Sequence, residues 1–128
     1  MNAIRAGRSL RIRDARMGTH LWFVLTDPDP ETGKVVMVVL VSERPHTERT
    51  VRLDVGDHPF IRHASAVDFG TARYAPAAKL EATLGRNLAA PDADMSASLL
   101  ETVRAGLLRS SHTPHDIVDY CRRLFSAP

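Results

Sequence analysis

Cysteine is almost absent. Cys121 stands alone among 128 residues, which excludes internal disulfides and fits a reducing, cytoplasmic setting. No apolar run approaches the twenty or so residues needed to cross a bilayer. The longest, "VVMVVLV" from Val35 to Val41, has the length of a buried strand. Internal repeats, low-complexity tracts and long linkers are also lacking. A soluble single domain is expected over 1–128, because 44% hydrophobic residues suffice for one core and two half-sized domains would each have too little.

Net charge is a modest +2, but it is unevenly placed. Arg5, Arg8, Arg11, Arg13 and Arg16 crowd the first sixteen residues against Asp14 alone. Residues 1–17 therefore read as a basic arm able to attract phosphate backbones, as an organellar transit segment, or as a solvated edge strand in which Leu10 and Ile12 alternate with Arg11 and Arg13.

The next stretch, 18–75, has the signature of a small sheet. "HLWFVL" (20–25) ends in the turn-rich "TDPDPETG", and Lys34–Ser42 follows as its hairpin partner. Residues of both parities are apolar in this second run, so both its faces should be covered. Val51, Leu53 and Val55 alternate with Arg52 and Asp54 as a third strand, and residues 63–69 suggest a short fourth.

Residues 76–128 are helical in pattern. A helix over about 77–84 ends at Gly85, a glycine suited to a left-handed cap. Leu99, Leu100, Val103 and Leu107 mark a second helix over about 96–109, whose last turn Gly106 should weaken. Thr113, Pro114 and Asp116 resemble the start of a third helix, with Thr113 as its cap, and its apolar stripe includes Cys121. That places the thiol in the core. Strands first and helices last give an α+β domain.

One segment concentrates chemistry: "GDHPFIRHAS", Gly56 to Ser65. Metal binding through Asp57, His58 and His63 is poorly served by histidines five apart with a proline between them, and His112 and His115 bracket a helix start. Acid–base work on a phosphodiester is a second reading, with imidazoles to move protons, Arg62 to stabilise negative charge and Ser65 to position a reacting group. In an extended strand His63 and Ser65 would share a face. A structural turn is the third: Gly56 and Asp57 turn the chain, Pro59 fixes the exit, Phe60 and Ile61 anchor it, and the histidines bond to loop backbone.

The succession "GTHLWFVLTDPDP", "VVMVVLVS" and "HASAVDFGTAR", spanning 18–73, resembles the PemK/MazF-like toxin family. The resemblance implies a small antiparallel SH3-like β-barrel followed by C-terminal helices, a homodimer, and metal-independent cleavage of single-stranded RNA with no cofactor, restrained by an antitoxin protein. It sets Ser42 where the family has a threonine or serine, and the "DPDPETG" loop at the mouth of the substrate groove. The family's arginine–proline pair after the first loop is missing. Gly33 and Lys34 run directly into Val35, while Arg44 and Pro45 follow the central strand. Either the chemistry has moved to Arg44, Arg62 and the histidines, or the barrel has lost it. The candidate site is accordingly His58, His63, Arg44, Arg62, Ser42 and Ser65, with a non-catalytic module binding nucleic acid or protein as the alternative.

Overall fold

The computed structural model describes residues 4–16 and 18–126. Its centre is β3 (Lys34–Ser42), which has no polar face to offer water and is covered on both sides. Around it the chain forms β1 (Ser9–Asp14), β2 (Gly18–Val24), β4 (Arg52–Leu53), β5 (Ser65–Pro76) and β6 (Ala89–Asp92), with α1 (Ala77–Gly85), α2 (Ala97–Arg109) and α3 (His115–Ser126). The strands make one antiparallel sheet in the order β4-β5-β3-β2-β1-β6, curled into a half-barrel. The architecture is α+β, as expected.

Period-two alternation divides the core in two. Leu21, Phe23, Val36, Val38, Leu40, Val67 and Phe69 face α2 and α3, which add Leu99, Val103, Leu107, Ile117 and Cys121. Val24, Val35, Met37 and Leu10 face the other way, where α1 adds Ala77 and Leu80. Each fully buried aliphatic side chain contributes roughly 1.5–3 kcal/mol.

Several details depart from the sequence reading. The basic segment does form a strand, β1, but not an edge: it lies between β2 and β6. A further strand that the sequence pattern does not show, β6, lies between the first two helices, pairing Leu10 with Pro91 and Ile12 with Ala89. The fourth strand is long rather than short. Met37 pairs with Arg73 and Val39 with Asp68, so residues 69–72 of β5 bulge opposite Val38 alone, and this bends the strand.

Caps differ too. Asn87, with φ 60°, takes the left-handed position near the end of α1 instead of Gly85. Ser96 caps α2 by accepting from the Leu99 amide at 3.1 Å, but the buried Thr113 hydroxyl donates to the Leu107 carbonyl at 2.8 Å, fastening α3 to the end of α2 rather than capping α3. Residues 1–3 of the basic arm, and Met17, lie outside the described residues.

Candidate functional site

Beyond the Trp22–Val39 pair, β2 and β3 have no further register partners in each other. β2 continues with β1 down to Gly18, and β3 continues with β5 up to Ser42. At this end of the sheet the chain leaves β3 through a polar loop and returns through the Gly56 turn. Between them opens a groove of about 1110 Å³.

Ser42, at the last position of β3, and His63, at the bend before β5, meet there: Ser42 Oγ lies 2.8 Å from His63 Nε2. The contact leaves His63 Nδ1 without a protein partner among the described residues. If the serine accepts from Nε2–H, Nδ1 carries the lone pair and can take a proton. If the serine donates, Nδ1–H can give one. The sequence paired His63 with Ser65, but Ser65 is buried and its hydroxyl donates to the His63 carbonyl at 2.9 Å. Ser65 thus fixes the backbone that carries His63, and the ring itself turns to Ser42.

Arg44 and Arg62 line the same groove, are exposed, and have no ion pair among the described residues. Their charge is free to meet an anion. Arg49 and Arg52 are committed elsewhere, to Glu43 at 3.6 Å and 2.7 Å, and the Arg52 hydrogen bond holds the Glu43 carboxyl below its ordinary range.

His58 is not part of this cluster. It is buried, its Nδ1 accepts from the Phe60 amide at 3.0 Å, its Nε2 lies 2.7 Å from the Ala93 carbonyl, and its ring packs 5.9 Å from that of Phe23. With the amide bound to Nδ1, the proton sits on Nε2 and both nitrogens are occupied. Its geometry is that of a pin holding the 54–61 turn to the β6–α2 connection, which matches the structural-turn reading of the Gly56–Ser65 stretch as far as this histidine is concerned. Gly56 adopts φ 104°, Asp57 Oδ2 accepts from the Asp54 amide at 2.8 Å, and Ile61 reaches the core.

The groove also contains histidines outside the candidate set: His20 on β2, His46 in the β3–β4 loop and His112, considered with His115 only for metal binding, between α2 and α3. Nothing periodic marks the two loop residues. They are brought in by Glu48, whose carboxylate accepts from the Phe69 amide in the β5 bulge at 2.9 Å, from Thr50 at 2.8 Å and from Ser110 at 2.7 Å. Ser110 in turn accepts from the His112 amide at 3.1 Å. One buried-side carboxylate therefore ties together the β3–β4 loop, β5 and the α2–α3 turn, with charge-assisted bonds.

Two expected features lie elsewhere. The "DPDPETG" loop sits at the opposite end of β3 from the groove and does not line it. Asp29 organises it by accepting from the amides of Thr32 at 3.0 Å and Glu31 at 2.8 Å, and from the Tyr120 hydroxyl of α3 at 3.0 Å. These bonds, the amides first, hold the Asp29 carboxyl below its usual value. Three of the five N-terminal arginines are paired within the fold: Arg5 and Arg8 with Asp94 at 3.3 and 3.2 Å, and Arg11 with Asp92 at 3.1 Å. Cys121 is buried, and burial pushes its thiol up to about 12. Among the described residues no three His, Cys, Asp or Glu side chains gather in a way that could hold a metal ion, and no helix is long and apolar enough to cross a membrane.

No protein-family model matches the chain, and no curated protein matches it either. A solved structure described as an endoribonuclease in complex with its cognate antitoxin, from Mycobacterial species, is similar over 88% of this chain and 98% of that one, with a TM-score of 0.56 and 17% sequence identity. That likeness shows a shared fold.

Proposed function

We propose that this protein is an endoribonuclease of the PemK/MazF-like kind, acting on single-stranded RNA and paired with an antitoxin protein. The observation that carries the reading is the Ser42–His63 pair at 2.8 Å in a groove that also presents the unpaired Arg44 and Arg62. The fold shared with an endoribonuclease of an antitoxin complex supports it.

In this reaction the 2′-hydroxyl of a ribose attacks the adjacent phosphorus. The 2′-oxygen–phosphorus bond forms as the bond to the 5′-oxygen breaks, leaving a 2′,3′-cyclic phosphate and a free 5′-hydroxyl. A base takes the 2′ proton and an acid returns one to the 5′-oxygen. His63 performs one transfer through Nδ1 while Ser42 orients its ring, and the other falls to His20, His46 or His112. Arg44 and Arg62 stabilise the charge that builds on the phosphoryl oxygens. General acid–base catalysis of this kind contributes about 10²–10⁴-fold. Ser65 acts as a positioning residue through the His63 backbone.

The test is incubation of the purified protein with a long single-stranded RNA in EDTA, followed by chemical mapping of the ends. Cleavage leaving cyclic phosphates and 5′-hydroxyls supports the reading. Ends bearing 5′-phosphates would overturn the mechanism, and RNA left intact with and without divalent metal would overturn the function.

A binding module that relies on the N-terminal arginines would have fewer free cations to offer, because Arg5, Arg8 and Arg11 are engaged by Asp94 and Asp92.

A further inference from the structure

A second hollow, of about 560 Å³, lies on the face of the sheet that carries α1. Trp22, Met37 and Val39 line it, and Arg13, Arg73 and Lys79 belong to its lining together with one acid, Asp14. The Arg73 guanidinium stacks over the Trp22 ring, 4.8 Å from its centroid. Arg13 and Lys79 are exposed and have no ion pair among the described residues.

The hollow is not isolated from the groove. His20 and Val41 line both, and they stand where β2 and β3 have lost their pairing past Trp22 and Val39. Adjacent strands of a continuous sheet would separate its two faces completely. Here the splayed strands leave a saddle, with Arg44 and Arg62 on one side and Arg13, Arg73 and Lys79 on the other.

We infer that this hollow is a second subsite for the same single-stranded RNA, binding nucleotides that flank the cleaved bond after the strand crosses the His20–Val41 saddle. The inference rests on the proposed endoribonuclease reading. Cations spaced along a path beside a half-buried indole are a combination that binds single strands: the cations meet phosphates, and a base stacks on the layer that Arg73 and Trp22 form, without regard to its identity. The occupant is set by this continuity with the groove and by the sign of the charge. An acidic protein segment is the competing occupant.

Trp22 is the chain's one tryptophan, so its fluorescence reports the hollow directly. The experiment titrates the full chain with non-cleavable 2′-O-methyl oligonucleotides, from a dinucleotide to an octanucleotide, and measures Trp22 emission and affinity in wild type and in the Arg73→Ala, Lys79→Ala double variant. Cleavage of a minimal substrate is followed in parallel. We expect quenching and tighter binding to set in together once the oligonucleotide is long enough, and the double variant to bind long oligonucleotides about tenfold more weakly while cutting the minimal substrate as wild type does. If wild type cuts RNA but emission and the variant's affinity do not change with length, the subsite is refuted and the endoribonuclease reading stands. If RNA is neither bound nor cut, both fall. Quenching by a glutamate-rich peptide containing apolar residues, but by no oligonucleotide, would assign the hollow to a protein partner and overturn the inference.

Discussion

Replacing Gly106 by alanine sets two effects against each other. In an exposed helix interior the change would stabilise by about 1 kcal/mol, because alanine has less backbone entropy to lose. At Gly106 the added Cβ would overlap Val51 Cγ2 and lie 2.9 Å from Phe69 Cζ and 3.2 Å from Phe69 Cε2. Neither neighbour can easily give way, since Val51 and Phe69 are both buried in the main core and Phe69 sits in the β5 bulge. Overpacking costs about 1–3 kcal/mol, and overlap with a β-branched side chain and a rigid ring together belongs at the upper end. The net expectation is a destabilisation of about 2 kcal/mol, a fall in Tm of about 8 °C for a chain of this size. Gly85 provides the control, as nothing lies within 4 Å of a Cβ there. Gly85→Ala should leave Tm unchanged or raise it by about 2 °C. Thermal unfolding of the two variants by circular dichroism decides the matter, and a Gly106→Ala protein at least as stable as wild type would refute the close approach of α2 to the sheet.

Further expectations concern the histidines, Glu48 and the thiol. His58→Ala removes two hydrogen bonds and a packed ring, so it should cost about 3 kcal/mol yet leave cleavage intact well below its Tm. His63→Ala, at an exposed position, should change stability by less than about 0.5 kcal/mol. Urea unfolding of both variants checks the contrast, which equal destabilisation would contradict. Glu48→Ala strands the Phe69 amide and the Ser110 hydroxyl and should cost about 3 kcal/mol; a midpoint shift in urea too small to represent 1 kcal/mol would show that this carboxylate does not fasten the three elements. Because burial raises the Cys121 thiol from 9.0 to about 12, the neutral thiol is favoured in the fold. Its contribution is complete below pH 9, where the thiol is protonated in both states, and is lost as pH climbs toward 12 and the unfolded chain ionises first. Stability should therefore decline from about pH 9 upward more steeply in wild type than in Cys121→Ala, and parallel profiles would speak against the burial.

The parts of this fold that were legible in the sequence are those with a strong local pattern. Lys34–Ser42 announced a strand covered on both faces, and Leu99, Leu100, Val103 and Leu107 announced the core side of α2. β6 was illegible because "AAPD" has little strand propensity of its own and is held by the register of β1. The length of β5 was hidden by Gly70 and Thr71, which look like a strand end and instead form the bulge. Thr113 was a reasonable cap by type, but Leu107 offered its hydroxyl a buried carbonyl.

At the site, the Gly56–Ser65 stretch offered Arg62 and His63, and the family resemblance offered Ser42 and Arg44 at the end of the central strand; all four line the groove. The sequence could not separate His58 from His63. That distinction depends on Ala93, thirty-five residues away along the chain, and on which ring the turn buries. His46 and His112 arrive through Glu48 and Ser110, contacts between loops that have no periodicity to read.

The most direct measurement is the single-turnover rate at which His63→Ala cuts a short RNA carrying one mapped wild-type cleavage site, with the fold of the variant checked by circular dichroism. The account predicts a fall of at least about 100-fold with unchanged fold and with binding of the RNA retained. A folded His63→Ala protein that cuts within a few-fold of the wild-type rate would contradict the assignment of the Ser42–His63 groove as the catalytic site.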